Sequence, residues 1–147
     1  MPKSTLTCNS ILALIFNATA WADIAQNDGS GPLTDLYLSL HTASPGVGNN
    51  QTTNETNTAN YVGYVRVAVE RTTSGWDVPA SGATANAALV QFAQCAGAGE
   101  TLTHVAIGTA SSGAGTVLYQ GALTSPLAVA NGIQPQFAAG ALDVTET

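Results

Sequence analysis

Between Leu102 and Leu123 two runs rich in β-branched and aromatic residues flank a linker of small ones, and this stretch constrains the chain more than any other. The first run is Leu102-Thr103-His104-Val105-Ala106-Ile107 and the second is Val117-Leu118-Tyr119-Gln120, with glycines at 108, 113 and 115 between them. Glycine takes positive φ at little cost, so the segment reads as two strands joined by a short loop, a central hairpin. Val105 and Ile107 share one face while His104 and Ala106 point the other way, and Val117 and Tyr119 alternate with Leu118. Both faces carry apolar groups, so the hairpin is expected to be covered on both sides.

The rest of the chain repeats this grammar. Leu36, Leu38 and Leu40 alternate with Tyr37, Ser39 and His41, and Val65, Val67 and Val69 alternate with Tyr64, Arg66 and Ala68, giving strands over 36–41 and 61–69. Shorter strands are expected around Trp76 and Val78, over 86–94 with Ala88, Val90 and Phe92 on one face, and over 127–129 after Ser125-Pro126. Asn131-Gly132 signals a hairpin turn into 133–137, and Leu142 and Val144 close the chain. Eight or nine short strands between Gly, Pro and Asn turns predict a mainly β fold, an antiparallel β-sandwich of jelly-roll type. The residues from Ser44 to Asn60 are almost wholly polar and read as a long exposed loop.

The N-terminal segment imitates a secretory signal, with Lys3, an apolar run over 11–16 and small residues after it. The run is short and a single basic residue precedes it, so it is read instead as a helix capped by Asn9 or Ser10 and running to about Thr19. Ile11, Leu14 and Ile15 fall on one side of it, the side that would pack on the sheet or on a neighbouring subunit. Asn27-Asp28-Gly29-Ser30-Gly31-Pro32 is a turn cluster. The expected organisation is therefore a helical arm and linker over 1–30 and a single β-sandwich over 31–147.

Only 8% of the 147 residues are charged, against about 25% in ordinary soluble domains. A surface so poor in ions is cheap to bury, because desolvating charge is the large cost of association, and a permanent assembly component is expected, the alternative being a monomer with a Ser/Thr-rich surface. The net charge is −6 with Lys3, Arg66 and Arg71 the only cations, which leaves no basic stripe for nucleic acid. The apolar run is too short to span a membrane. Cys8 and Cys95 lack metal or redox spacing and read as buried free thiols, and neither a metal nor another cofactor is expected.

No nucleophile motif accompanies His41, and His104 reads as a sheet-face or interface residue. Asp23, Asp28 and Asp35 lack the pattern of a calcium loop and read as solvated carboxylates. Glu70 and Asp77 read as partners for Arg66 and Arg71, and the 108–115 glycines lack the Lys of a phosphate loop. Trp76 and Tyr64 read as core, while Trp21, Tyr61 and the apolar arm residues Ile11, Leu14, Ile15 and Phe16 are candidate interface anchors, with Asn54 in the polar loop beside them.

Five segments in order carry a family resemblance: Tyr37-Leu38-Ser39-Leu40-His41-Thr42-Ala43-Ser44-Pro45-Gly46, Gln51-Thr52-Thr53-Asn54-Glu55, Tyr61-Val62-Gly63-Tyr64-Val65-Arg66-Val67-Ala68-Val69, His104-Val105-Ala106-Ile107-Gly108-Thr109-Ala110 and Phe137-Ala138-Ala139-Gly140-Ala141-Leu142. They resemble small structural proteins of tailed phages and prophages, many labelled tail fibre proteins and some similar to capsid cement, or decoration, proteins of jelly-roll-like fold. The polar loop is extended at 57–60 relative to that pattern. The resemblance carries no catalytic residue and implies a non-enzymatic virion protein made in the bacterial host cytoplasm. It implies a place on the outside of the capsid, with the major capsid protein and a second copy of itself as partners, dimers being expected over trimers. The alternative that it offers is a tail-fibre or receptor-binding module.

Overall fold

The computed structural model describes residues 4–20, 33–46 and 50–146. One helix, α1 (Thr5–Phe16), precedes eight strands: β1 (Asp35–His41), β2 (Val67–Glu70), β3 (Ala83–Ala85), β4 (Val90–Gln91), β5 (Glu100–Gly108), β6 (Val117–Val129), β7 (Gln136–Phe137) and β8 (Asp143–Thr145). The fold is mainly β with one short helix, and the β1–β5, β5–β6 and β3–β8 ladders are all antiparallel. Four strands form a sheet in the order β2-β1-β5-β6, while β3 pairs with β8 and β4 with β7. The described residues divide into two compact units, one drawn from Met1–Asp35, Val69–Val90 and Phe137–Thr147, the other from Leu36–Ala68 and Gln91–Gln136.

In the first unit α1 is capped five or six residues earlier than its sequence suggests. Ser4 is the N-cap, its hydroxyl accepting from the Thr7 amide at 3.2 Å, and the helix stops at Phe16. Cys8, Leu12 and Phe16 recur every four residues and are buried, whereas Ile11, Leu14 and Ile15 are half-exposed, so the inward face is rotated from the one expected. Phe16 meets Trp76 edge to face with ring centroids 4.5 Å apart. Asn86, wholly buried, donates to the carbonyls of Ala88 and Ala138 and accepts from the Leu142 amide, each at 2.8 Å, which lets a polar side chain sit among apolar neighbours.

The central hairpin of the second unit is β5 and β6. Gly113 and Gly115 in its loop have φ of +72° and +48°, but Gly108 does not and is needed for a different reason. Gln51 lies directly against it, and a Cβ there would fall on the Gln51 carboxamide. The expected separate strand at 127–129 is the continuation of β6. Between the pairs His104↔Ala122 and Leu102↔Leu127 the ladder shifts, with five steps along β6 against two along β5. Pro126 sits inside this irregularity on the edge strand of the sheet, the setting in which a strand tolerates a residue without N–H. Among the described residues the cover expected on both sides is found for β5, which buries Leu102, Ala106 and Ile107, but not for β6, of which only Val129 is buried.

Three other expectations change. Residues 61–66 form turns and irregular chain rather than strand: the Tyr61 amide bonds Asn57 O, the Tyr64 amide bonds Tyr61 O, and Gly63 has φ of +95°. This geometry sends both Tyr61 and Tyr64 inward, three residues apart, which alternation along a strand forbids. Trp76 lies outside the named strands, joined to Asn86 by a single bridge, and 86–94 is regular only at β4. The Asn131-Gly132 turn exists, with Gly132 at φ +88°, but the chain after it bonds back to Phe92 and Cys95 rather than to β6.

Candidate functional site

Tyr64, Arg66 and Glu55 anchor the surface built by the polar loop. The Glu55 carboxylate accepts from Arg66 Nε and from an Arg66 terminal nitrogen, both at 2.7 Å, and from the Tyr64 hydroxyl at 2.8 Å. The remaining guanidinium donors reach Ala110 O at 2.8 Å and Gly113 O at 2.7 Å in the β5–β6 loop. One arginine fork thus ties the polar loop to the hairpin loop. The side chains of the pair are 3% and 11% exposed, so this is a buried ion pair. Its hydrogen bond to Glu55 raises the Arg66 pKa, while burial, reinforced by the Glu55 charge, raises that of Tyr64. Arg66 therefore pairs with Glu55 and not with Glu70 or Asp77.

Further contacts pin the loop. Asn54 takes φ +55°, which asparagine tolerates, and donates to Ser44 O at 2.8 Å; the Thr56 amide bonds Leu40 O at 2.9 Å. Gln51, wholly buried, accepts from the Ala110 amide at 2.9 Å. Thr56 and Asn60 both donate to Glu100, and Tyr61 donates to Ala93 O. Burial pushes the Tyr61 phenol up to about 12. The expected long exposed loop is thus fastened at Gln51, Glu55, Thr56 and Tyr61, and Thr52, Asn54, Asn57 and Thr58 carry its exposed surface.

Above the ion pair lies an open groove of about 230 Å³, walled by Asn57, Thr58, Val65, Ser111, Ser112 and Gly113. Its floor is an ion pair with every charge engaged, and its walls offer hydroxyl, amide and one exposed apolar side chain. Such a surface can hydrogen-bond a polar partner but presents no activated nucleophile.

Beneath the loop, the polar face of β1 is covered as well. Ser39 Oγ lies 2.9 Å from His41 Nε2, and His41 Nδ1 lies 3.0 Å from Thr53 O. The carbonyl requires Nδ1 to carry the proton, so Ser39 donates to Nε2. A serine and a histidine are thereby brought together, but both are 0% exposed and no substrate carbonyl can reach them. Burial lowers the His41 pKa, consistent with a neutral imidazole held in a fixed tautomer. His104, opposite His41 in the ladder, is half-exposed with Nδ1 2.8 Å from Thr103 Oγ1.

The described candidate interface residues divide between the two units, Ile11, Leu14, Ile15 and Phe16 in the first and Asn54 and Tyr61 in the second. Trp21 lies outside the described residues, as do Asp23, Asp28 and Lys3. Phe16 and Tyr61 have no exposed surface and serve as core, because each fills the interior of its own unit. Ile11, Leu14 and Ile15 keep partly exposed surface on α1, and Asn54 is exposed in the second unit. Trp76 and Tyr64 are buried, and Cys8 and Cys95 are buried free thiols. Arg71, expected to meet an acid, instead donates to Leu14 O and Leu33 O at 2.7 Å and to Ile15 O. It caps the carbonyl end of α1, where a cation is favoured, and burial lowers its pKa. Among the described residues no group of three His, Cys, Asp or Glu could hold a metal ion, and no helix is long and apolar enough to cross a membrane.

No curated protein matches the chain. The family model described as "Podophage GP4 fiber I protein gp80" matches residues 2–145. With nearly its whole length inside that match, the chain belongs to the podophage GP4 fiber I protein gp80 family, a family of phage structural proteins.

Proposed function

We propose that this protein is a non-enzymatic fibre component of the virion exterior that works through protein contacts alone. The observation that carries this reading is the match of residues 2–145 to a family named for a fibre protein. In support, the Ser39–His41 pair is sealed in the sheet, and the groove over Glu55 and Arg66 offers hydrogen-bonding groups without a free charge. The exposed parts of the polar loop around Asn54 and Asn57 are the surface assigned to outward recognition.

A second reading, capsid decoration, is favoured by the scarcity of charge. An 8% charged chain desolvates cheaply over a wide contact with a shell protein, and modest contacts repeated over a shell become strong by multivalency. In that reading the partner is the major capsid protein and the half-exposed Ile11, Leu14 and Ile15 lie at the contact. Labelled antibody on intact particles, read with copy number from a stained gel, separates the two. The fibre reading expects few copies on projecting appendages and loss of adsorption on deletion. Hundreds of copies over the head, with loss of head stability on deletion, would replace it by decoration, and absence from purified particles would remove both.

A further inference from the structure

We propose that residues 50–54 form a strap over the polar face of β1, and that a proton on His41 releases it while Glu55 stays anchored. The strap contains no charged residue, and neutral hydrogen bonds hold it down. Thr53 O lies 3.0 Å from His41 Nδ1, Asn54 O accepts from the Thr42 amide at 2.9 Å, and Asn54 Nδ2 donates to Ser44 O at 2.8 Å. Thr52, Thr53 and Asn54 are exposed, so lifting the strap gives up little apolar burial. From Glu55 onward the attachment is of another kind: a carboxylate held by Arg66 and Tyr64, and the Thr56 amide on Leu40 O.

The deepest anchor of the strap is incomplete. Gln51 is wholly buried against Gly108 and Gly115, where a Cβ would fall on its carboxamide. Its amide donates to Ala114 O at 2.6 Å and its Oε1 accepts from the Ala110 amide at 2.9 Å, but among the described residues Nε2 has no acceptor. A buried donor without a partner favours the state in which water reaches it, so this anchor opposes opening less than its burial implies.

His41 is the titratable group beneath. As a neutral ring it satisfies both neighbours, Nδ1–H donating to Thr53 O and Nε2 accepting from Ser39. A proton taken from solvent onto Nε2 makes that atom a donor, so Ser39 must turn its own hydrogen away, and a positive charge then sits where no water reaches. Glu55, bridged to His41, favours that charge, but its oxygens are engaged by Arg66 and Tyr64. Arg66 and His104, the latter opposite His41 on β5, disfavour it. Opening the strap supplies water instead. The open state gives His41 its ordinary value of 6.5 and the closed state holds it lower, chiefly by burial. Opening is therefore indifferent to pH above 6.5 and becomes easier by about tenfold per unit below it, until the closed-state value is reached.

The test is amide hydrogen exchange in the full native chain, followed residue by residue by NMR from pH 7.5 to 5 and corrected for the intrinsic pH dependence of exchange. The Thr42, Gln51 and Ala110 amides, whose bonds the strap closes, are expected to lose protection by about tenfold per unit below pH 6.5. The Thr56 amide, beyond the strap, and Ala106 in β5 are expected to keep theirs. His41→Asn keeps a donor for Thr53 O but does not titrate, and its strap amides should show no such slope. Should that variant fail to fold, the contrast between strap and Thr56 in the native chain decides alone. Strap protection that is flat with pH, loss of Thr56 or Ala106 together with the strap, or a slope that survives in His41→Asn and so belongs to Glu55 or Glu100 would each overturn the proposal. The release concerns only this chain's own fold, so its failure would leave the fibre reading standing, and a failed virion localisation would leave the strap standing.

Discussion

Arg66 and Glu55 hold a buried pair whose members are each indispensable to the other. Replacing one leaves the second charge buried without a partner, so Arg66→Met or Glu55→Gln is expected to destabilise the protein by about 3–5 kcal/mol in denaturant unfolding. The double variant Arg66→Met, Glu55→Met should recover part of that loss, since two apolar side chains leave no stranded charge; full additivity of the two single effects would disprove the coupling. His41 sets a pH dependence. Its folded pKa lies below its ordinary value of 6.5 because burial disfavours the imidazolium, so below pH 6.5 the unfolded chain binds the proton more readily. Stability should therefore be full above that pH and fall as the pH drops through 6.5 toward the folded pKa. Thermal melts of native protein and His41→Gln between pH 7.5 and 5 should show a steeper loss in the native chain. The alternation of Leu36, Leu38 and Leu40 made one face of β1 legible in the sequence. That Ser39 and His41 on the other face are equally buried was not, because it takes a loop of polar residues, fastened by Thr53 and Thr56, to cover them. Gln51 and Glu55 were illegible for the same reason: a polar side chain shows that it is an anchor only when its partner, distant in sequence, is known.

Elements were readable where periodicity had at least six residues to establish itself and a flat face to serve, as in β1 and the β5–β6 hairpin. They failed where side chains demanded a turn. The 61–69 pattern gave way at Tyr61 and Tyr64, whose inward placement fixes 61–64 as a turn, and only Val67–Glu70 remains strand. The helix was found but its face was not, since residues 11, 14 and 15 are as apolar as residues 8, 12 and 16, and only packing against Trp76 separates the sets. The end of α1 supplies a prediction at this scale. Arg71 donates to three carbonyls, and Arg71→Gln should lower stability by about 1–3 kcal/mol through loss of charge-assisted hydrogen bonds. Arg71→Lys should restore little, because an ammonium cannot reproduce the planar fork. Amide exchange in residues 13–17 is the check, and protection equal to the native chain in the Gln variant would show that the cap is dispensable.

At the scale of the molecule, the direction in which the cations point decides how such a protein can be held. Arg66 is spent on Glu55 and two loop carbonyls, and Arg71 on the helix end, so both described cations are committed within their own units. Glu70, Asp77 and Asp143 are exposed, and the other exposed residues among those described are mostly hydroxyl, amide and apolar, Leu6, Val65 and Val78 included. A partner that gripped this surface by salt bridges would find acids to bind but no arginine to answer with, whereas one that buried area and exchanged hydrogen bonds would find both. Attachment to the particle should then resist salt. Raising NaCl from about 0.1 M to 1 M shortens the screening length from about 10 Å to 3 Å and weakens exposed ion pairs, but leaves apolar burial in place. Purified particles washed at the higher salt are expected to retain this protein, while moderate urea, which solvates apolar and peptide groups alike, should release it. Gel densitometry of the washed particles measures both. Release by salt alone, with retention in urea, would mean that the exposed carboxylates anchor it to a basic partner and that the scarcity of charge has no bearing on how it is attached.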